Sequence, residues 1–197
     1  LSEARAFARQ KVDAVRERQQ PLARQRTAAV ANRLQKVLQA FEAERVGTQH
    51  FASVSGYGHG DQGREVIDRV FARVLGAEAA AVRLQFVSGT HAIAAALFGV
   101  LRPGDCMLSI TGRPYDTLEE VIGLRGEGQG SLRDFGIVYD ELQLTAAGEV
   151  DEQSLEQALD VPRRLILMQR SCGYSWRPSL SVQIIGRLCE RIHDRQP

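Results

Sequence analysis

Residues 79–101, AAAVRLQFVSGTHAIAAALFGVL, decide the fold of this chain. The first nine, AAAVRLQFV, predict a strand, and residues 92–101, AIAAALFGVL, predict a buried helix. A strand that stops at residues 88–90 and continues as a helix directs free backbone N–H groups at one point, where the positive end of the helix dipole also acts. Such a turn suits a phosphate group, although every strand-to-helix connection in an α/β protein has a similar form.

The rest of the sequence repeats this alternation of apolar strands and helices. Thr117 and Glu120 have the spacing of a capping box at the start of one helix. The order of elements predicts an α/β fold, with a mostly parallel sheet flanked by helices. Strands are predicted at 106–110, 137–144 and 164–169, and helices at 64–75, 117–122, 151–159 and 180–192.

The first 46 residues predict an N-terminal helical arm that is interrupted near Pro21. Apolar residues at 34, 37, 38 and 41 form one stripe, which is typical of a helix that packs against another element or a second subunit. Residues 47–63 contain five glycines and predict a loop that bends sharply or lies close to a ligand. We therefore divide the chain into an N-terminal helical segment with its glycine-rich loop, 1–60, and a sheet domain, 61–197.

The composition argues against several classes of partner. Lys and Arg number 25 against 24 Asp and Glu, so the net charge of +1 gives no support for nucleic acid or an anionic membrane. Three cysteines without a CxxC pair favour neither a disulfide framework nor a zinc site, and we expect a cytoplasmic protein. Residues 84–101 carry no formal charge, but their polar first half favours a strand, a turn and a helix over a membrane span.

Polar turns follow three predicted strands, at 88–91, 111–116 and 169–174. Open parallel sheets bind ligands at the carboxyl ends of their strands, so we expect these turns to share one edge. Tyr115 would then lie near a ligand whose phosphate sits at the first turn, and its ring could stack on a planar heteroaromatic group. A half-buried turn tyrosine is the alternative interpretation.

Other motifs are weaker. His50, His59 and Asp61 are close in sequence and could ligate a metal, but loop histidines are more often only solvated, so no metal site is predicted. Cys172 could act as a nucleophile, but no histidine partner can be assigned to it. The glycine-rich stretch at 126–131 lacks the Gly-Lys-Ser/Thr of a phosphate-binding P-loop.

Seven segments together resemble the aluminium-resistance family of proteins, which is similar to the cystathionine β-lyase and methionine γ-lyase group of pyridoxal-phosphate (PLP) enzymes. The resemblance runs from about residue 30 to the end of the chain, and it is far more specific for the family than for a substrate. The segments are Gly56-Tyr57-Gly58, Asp61-x-Gly63-Arg64, VSGTHAI (87–93), LFGVLRPGD (97–105), TGRPYDTLEEVIG (111–123), GSLRDFGI (130–137) and QRSCGYSWRPS (169–179).

The resemblance implies the first part of the large domain of a fold type I PLP enzyme, in homodimers that pair into homotetramers. It implies that Ser88, Gly89 and Thr90 hold the cofactor phosphate and that the ring of Tyr115 stacks on the pyridine ring. His91 follows in a position to touch the cofactor or the substrate, or to serve only in the first turn of its helix.

The resemblance also implies further contacts to the cofactor. Tyr57 and Arg64 would reach the phosphate from the neighbouring subunit, although their spacing is wider than in the lyases. Arg170 and Ser171 would lie near the hydroxyl of the ring.

One departure from the family matters most, because PLP chemistry needs a lysine that binds the cofactor covalently. The only lysines are Lys11 and Lys36, both in the N-terminal helical arm, so no catalytic residue is assigned. We expect a PLP-dependent lyase for a small sulfur-containing amino acid, by β- or γ-elimination, of which this chain is an inactive portion. The alternatives are a natural short form that binds without catalysing, acting as a binding or regulatory protein, and a phosphate-binding α/β domain unrelated to PLP.

Overall fold

The computed structural model describes residues 2–57 and 59–196, which divide into two compact units after Gln85. This boundary lies later than the division at residue 60 drawn from the sequence, and the assignment of the two parts as domains stays a prediction. The first unit contains helices α1 (Ser2–Ala43) and α2 (Gln62–Leu75), with a short 3-10 helix at Thr48–Phe51. The second contains α3 (Gly89–Val100), β1 (Cys106–Ser109), α4 (Asp116–Ile122), β2 (Val138–Glu141), α5 (Glu152–Ala158), β3 (Leu165–Leu167) and α6 (Val182–Arg195).

The three strands form one parallel sheet in the order β2-β1-β3. Met107 of β1 stands between Tyr139 of β2 and Leu165 of β3 in register. Helices α4 and α5 return the chain from the end of one strand to the start of the next, as parallel pairing requires. The predicted α/β fold with a parallel sheet and flanking helices is confirmed.

Two apolar clusters cover the two faces of the sheet, because successive side chains of a strand point to opposite sides. Met107 and Leu108, adjacent in β1, belong to different clusters. One cluster joins β1 to α3 and α4, through Leu97, Leu101, Met107, Leu118, Ile122, Leu132 and Ile137. The other joins β1 to α5 and α6, through Leu108, Ile110, Leu155, Leu159, Leu188 and Ile192. The second unit therefore has three layers, with β1 at the centre.

Three local predictions were wrong. Helix α1 continues through Pro21. An internal proline removes one backbone hydrogen bond, but the residues on both sides are good helix formers and offset that loss. Residues 79–87 form no strand, since no neighbouring strand lies beside them in the described part of the chain to pair with their backbone. Thr117 lies inside α4 rather than capping it, since that helix begins at Asp116.

In the first unit, Glu44 connects α1 to α2. Its two carboxylate oxygens accept hydrogen bonds from Arg69 and Arg73 of α2 at 2.9 and 2.7 Å. Asp61 caps α2 by accepting a hydrogen bond from the Arg64 backbone N–H, and Gly76 ends the helix in the left-handed conformation, with φ of 69°. Among the described helices, none is both long enough and apolar enough to span a bilayer.

We expect Leu188→Ala to destabilise the chain by about 2–5 kcal/mol, because Leu188 is 1% exposed and its truncation leaves a cavity under α6. Val182→Ala, at the 70% exposed start of the same helix, should change the free energy of unfolding by less than about 0.5 kcal/mol. Urea unfolding followed by circular dichroism measures both. Equal losses in the two variants would contradict the packing described for α6.

The Glu44 ion pairs predict a pH dependence. Hydrogen bonds from Arg73 and Arg69 hold the pKa of Glu44 below its ordinary value. A carboxyl with a lowered pKa in the folded chain stabilises it above the unfolded pKa, about 4.3, and this stabilisation is lost as the pH falls further through the folded pKa.

We therefore expect the midpoint of thermal unfolding to be lower in Glu44→Gln than in the wild type at neutral pH. The difference should shrink as the pH is lowered below about 4. Glu42→Gln, on the same helix but without an ion pair among the described residues, is the control and should show no such convergence. A constant difference between wild type and Glu44→Gln at every pH would refute the electrostatic explanation.

Candidate functional site

A cavity of about 310 Å³ lies at the carboxyl edge of the sheet, within the second unit. The segments after all three strands line it. The turn from Thr111 to Asp116 follows β1, Leu144 follows β2, and Gln169 and Cys172 follow β3. Two of the three predicted polar turns therefore meet at one edge, as expected for parallel strands.

Gln169 ties the turn after β1 to the segment after β3. Its backbone N–H donates to Thr111 Oγ1 at 3.0 Å, and its side-chain Oε1 accepts from the Tyr115 backbone N–H at 2.9 Å. Its Nε2 donates to the carbonyl of Ser171 at 3.2 Å. These bonds fix the backbone of Tyr115, whose ring lines the cavity and is 38% exposed.

The third predicted turn, residues 88–91, reaches this region through a helix. The Ser88 hydroxyl caps α3 by accepting a hydrogen bond from the His91 N–H at 3.0 Å. Gly89 and Thr90 occupy the first two positions of α3, whose N–H groups have no acceptor within the helix. The hydroxyls of Thr90 and Thr117 are 2.8 Å apart, so the start of α3 is joined to the start of α4, two residues after Tyr115.

Gly89 leaves open space at the start of α3, since a Cβ built there would meet no heavy atom within 4 Å. The ring of His91 stands edge-on to Phe86, with centroids 5.5 Å apart, and its side chain makes no hydrogen bond among the described residues. Thr90 and Gly89 therefore present backbone donors to an open surface, which is what an anion at a helix N-terminus requires.

The loop after β3 carries a second tyrosine over the cavity. The guanidinium of Arg177 donates to the carbonyls of Gln169 and Ser171 at 2.9 and 2.7 Å, which fixes both ends of the loop's first turn. The ring of Tyr174 stacks against Tyr115, with centroids 6.2 Å apart and planes inclined by 27°. The Tyr174 hydroxyl beside it, and next the charge of Asp116, raise the pKa of Tyr115, so its phenol stays protonated at neutral pH.

Of the nine predicted site residues, only Tyr115 lines this cavity. Four of the others, Ser88, Gly89, Thr90 and His91, lie at the start of α3, and the remaining four lie elsewhere. Arg170 and Ser171 are exposed and do not line it, whereas their neighbours Gln169 and Cys172 do. Tyr57 and Arg64 belong to the first unit. Tyr57 is 86% exposed, and the guanidinium of Arg64 forms an ion pair with Asp61 at 3.4 Å, so their role at the phosphate stays a prediction.

The candidate metal ligands serve local structure instead. His50 Nδ1 accepts a hydrogen bond from the Gly47 N–H at 3.0 Å, and Asp61 caps α2. Within residues 2–57 and 59–196, no group of three or more histidine, cysteine, aspartate or glutamate side chains could hold a metal ion. Cys172 is a half-buried wall of the cavity whose sulfur lies 3.9 Å from the Ser179 hydroxyl.

Three residues of the site were missed from the sequence: Thr117, Gln169 and Tyr174. The sequence predicts Thr117 only as a cap of its own helix, and Gln169 and Tyr174 only as the two ends of a polar turn at the sheet edge, with no role assigned to either side chain. The contact between Tyr115 and Gln169 spans 54 positions, and no periodicity reports such a pair. The position of Gln169 directly after an apolar strand was the one signal that could have marked it.

The chain is similar to one protein family and to several solved structures. The family model for methionine gamma-lyase matches residues 8–197. A structure from Listeria innocua named "putative cystathionine beta-lyase involved in aluminum resistance" is 43% identical with a TM-score of 0.89, covering 92% of this chain and 45% of that one. A carbon-sulfur lyase involved in aluminum resistance from Clostridium novyi is 44% identical with a TM-score of 0.76, covering 83% and 39%.

A curated relative in Bacillus subtilis, the uncharacterized protein YnbB, is 48% identical over 160 residues, which are 81% of this chain and 38% of that protein. The chain thus spans less than half the length of each of these three relatives. The resemblance to the aluminium-resistance proteins, predicted from seven sequence segments, is confirmed. The chain belongs to the methionine gamma-lyase family.

Proposed function

We propose that the protein carrying this chain is a PLP-dependent carbon–sulfur lyase for a small sulfur-containing amino acid. This chain would supply the part of the site that binds the cofactor phosphate and ring. The observation that carries the proposal is the 2.8 Å contact between the Thr90 and Thr117 hydroxyls. It joins the open N-terminus of α3 to α4, which begins one residue after Tyr115, so a candidate anion site and the aromatic ring lie on elements in direct contact.

Three further facts support PLP as the cofactor of this site. The methionine gamma-lyase family is generally PLP-dependent, and relatives of this chain are named as carbon–sulfur or cystathionine beta-lyases. The cavity beside Tyr115 has a volume within the range of small-molecule sites, about 300–1,000 Å³. Its wall combines the rings of Tyr115 and Tyr174 with polar and charged side chains, among them Arg113, Asp116 and Gln169. Aromatic faces bind planar rings, and convergent polar groups orient a bound small molecule.

The residues fit the phosphate and ring of PLP but supply no lysine, because residues 86–197 contain none. Both lysines lie on α1, in the first unit. The lysine and the carboxylate that holds the pyridine nitrogen protonated would therefore come from elsewhere in the protein. We also propose a cytoplasmic homodimer or homotetramer, in which Tyr57 and Arg64 reach the phosphate of the neighbouring subunit.

Each residue would have a defined task. The amides of Gly89 and Thr90 would donate to phosphate oxygens, and the helix dipole would favour their negative charge. The Tyr115 ring would orient the cofactor ring, and its phenol would carry its proton at neutral pH, as an ordinary tyrosine does. Its raised pKa extends this protonated state to more alkaline pH. When bound, PLP supplies an electron sink for negative charge at the substrate carbon that bears the amino group.

A non-catalytic binding protein is the second candidate, favoured by the absence of lysine from residues 86–197. An elimination assay on the full-length protein separates the two. A lyase releases a thiol, a 2-oxo acid and ammonia from a sulfur-containing amino acid. A binding protein retains PLP and releases none of these products.

We expect Tyr115→Ala to weaken PLP binding by about 1 kcal/mol, or roughly fivefold, since it removes one aromatic stacking contact. Phe135→Ala is the control, because Phe135 is also an exposed aromatic residue but packs on Phe98 away from the cavity. Equilibrium dialysis of both variants with PLP measures the effect. Unchanged affinity in Tyr115→Ala would show that the ring does not stack on this tyrosine.

Thr117→Val tests the link between the two helices. Loss of the Thr90 contact leaves the start of α3 less well placed, and a net hydrogen bond is worth about 0.5–1.5 kcal/mol, so PLP affinity should fall roughly two- to tenfold. Pyridoxal, which has the ring but no phosphate, should lose much less affinity. An equal loss for both ligands would contradict a phosphate site at Gly89 and Thr90.

A further inference from the structure

The Tyr174 ring lies against the face of Tyr115 on which a flat ligand would stack. Both side chains line the same cavity. Their rings are inclined by only 27°, with centroids 6.2 Å apart, which lies at the long end of the 4.5–7 Å range for aromatic pairs. The two rings therefore face each other without tight stacking, and parting them loses little contact.

In the loop after β3, hydrogen bonds fix the base, whereas the tip is exposed. At the base, Arg177 donates to the carbonyls of Gln169 and Ser171, and Gln169 holds the Tyr115 backbone. At the tip, Tyr174 is 88% exposed, and its hydroxyl lies beside that of Tyr115. The Tyr174 ring can therefore move while the rest of the wall stays in place.

Gly173 explains how the loop backbone comes so close to Tyr115. Its φ of 56° lies in the left-handed region, and a Cβ there would stand 3.0 Å from Cδ2 of Tyr115. A larger residue would meet the Tyr115 ring, so glycine lets the loop backbone lie directly beside this ring. The hydrogen bond from the Ser175 N–H to the Cys172 carbonyl, 3.0 Å, closes a tight turn that carries Tyr174 outward.

A planar ring inserted between two aromatic rings needs a carbon–carbon contact of about 3.5–4.0 Å on each side, or roughly 7–8 Å in all. The present separation of the ring centroids, 6.2 Å, is shorter than this, so the two rings must move apart to admit a ligand ring. Rotation of the exposed Tyr174 side chain would move its ring away from Tyr115, so the pair can open without a change in the sheet.

We propose that Tyr115 and Tyr174 are the two walls of an aromatic clamp that closes on itself when empty and holds the pyridine ring of PLP between its walls when loaded. The inference rests on the proposed function. It gives a ring-positioning role to Tyr174, to which the resemblance assigns none. Tyr174 would exchange one loose contact with Tyr115 for a close contact with the ligand. Tyr115, fixed by Gln169, would be the rigid wall and Tyr174 the movable one.

The test measures the affinity of the ligand-free, full-length protein for PLP, pyridoxal and inorganic phosphate by equilibrium dialysis. Tyr174→Ala should weaken PLP and pyridoxal about fivefold and leave inorganic phosphate unchanged, because only the ring contact is lost. Tyr174→Phe should stay within twofold of the wild type. Trp176→Ala is the matched control, since Trp176 is a fully exposed aromatic residue of the same loop that does not line the cavity.

The outcomes separate the clamp from the proposed function. Weaker PLP binding in Tyr115→Ala with unchanged binding in Tyr174→Ala overturns the clamp alone. Tighter binding in Tyr174→Ala also overturns it, because Tyr174 would then obstruct the ring. If the wild type binds no PLP, the proposed function and the clamp both fall.

A second readout requires no ligand. Because the Tyr174 hydroxyl raises the pKa of Tyr115, Tyr174→Phe should lower the Tyr115 pKa toward its ordinary value of about 10. Nuclear magnetic resonance of ring-labelled tyrosine across an alkaline titration measures this shift. An unchanged Tyr115 titration would show that the empty clamp is not closed, and would overturn that half of the proposal.

Discussion

The site depends on one constraint, the parallel pairing of β1 between β2 and β3. Because all three strands run the same way, the segments that follow them emerge at one edge and form the wall of one cavity. Met107, Leu108 and Ile110 are at most 1% exposed, and burying each contributes about 1.5–3 kcal/mol. The central strand thus holds the turn that carries Tyr115, and displacement of β1 would separate Tyr115 from Gln169.

In the proposed function, the second unit supplies groups that bind the cofactor but no lysine that reacts with it. It provides helix amides, an aromatic face and a protonated phenol, which are groups that bind and orient. Residues 86–197 contain no lysine to react with a cofactor aldehyde. In the proposed function, α3, β1 and β3 would carry the residues that bind the phosphate and the ring, and the residues that carry out the reaction would come from elsewhere in the protein. Affinity and catalysis should respond separately to substitution in this family.

Much of this architecture could be predicted from the sequence, since it follows from local pattern. The apolar runs of β1, β2 and β3 and the helices α2, α4, α5 and α6 were predicted at their observed positions within a few residues. Residues 79–87 show the limit of such patterns, because alternating apolar residues form a strand only where a paired neighbour exists. Pro21 shows another, since a helix interior tolerates the loss of one hydrogen bond when its flanks favour helix.

The site itself was only half visible from the sequence, for a physical reason. Tyr115 could be identified because it follows a strand, but its neighbours Gln169 and Tyr174 come from a segment more than 50 positions away. No local property distinguishes Tyr174 from any exposed loop tyrosine. Its place becomes evident only once Arg177 and Gln169 have fixed the base of the loop and Gly173 has brought the backbone against the Tyr115 ring. The positions of both tyrosines thus depend on the same parallel sheet, because Gln169, just after β3, holds the Tyr115 backbone and begins the loop that carries Tyr174.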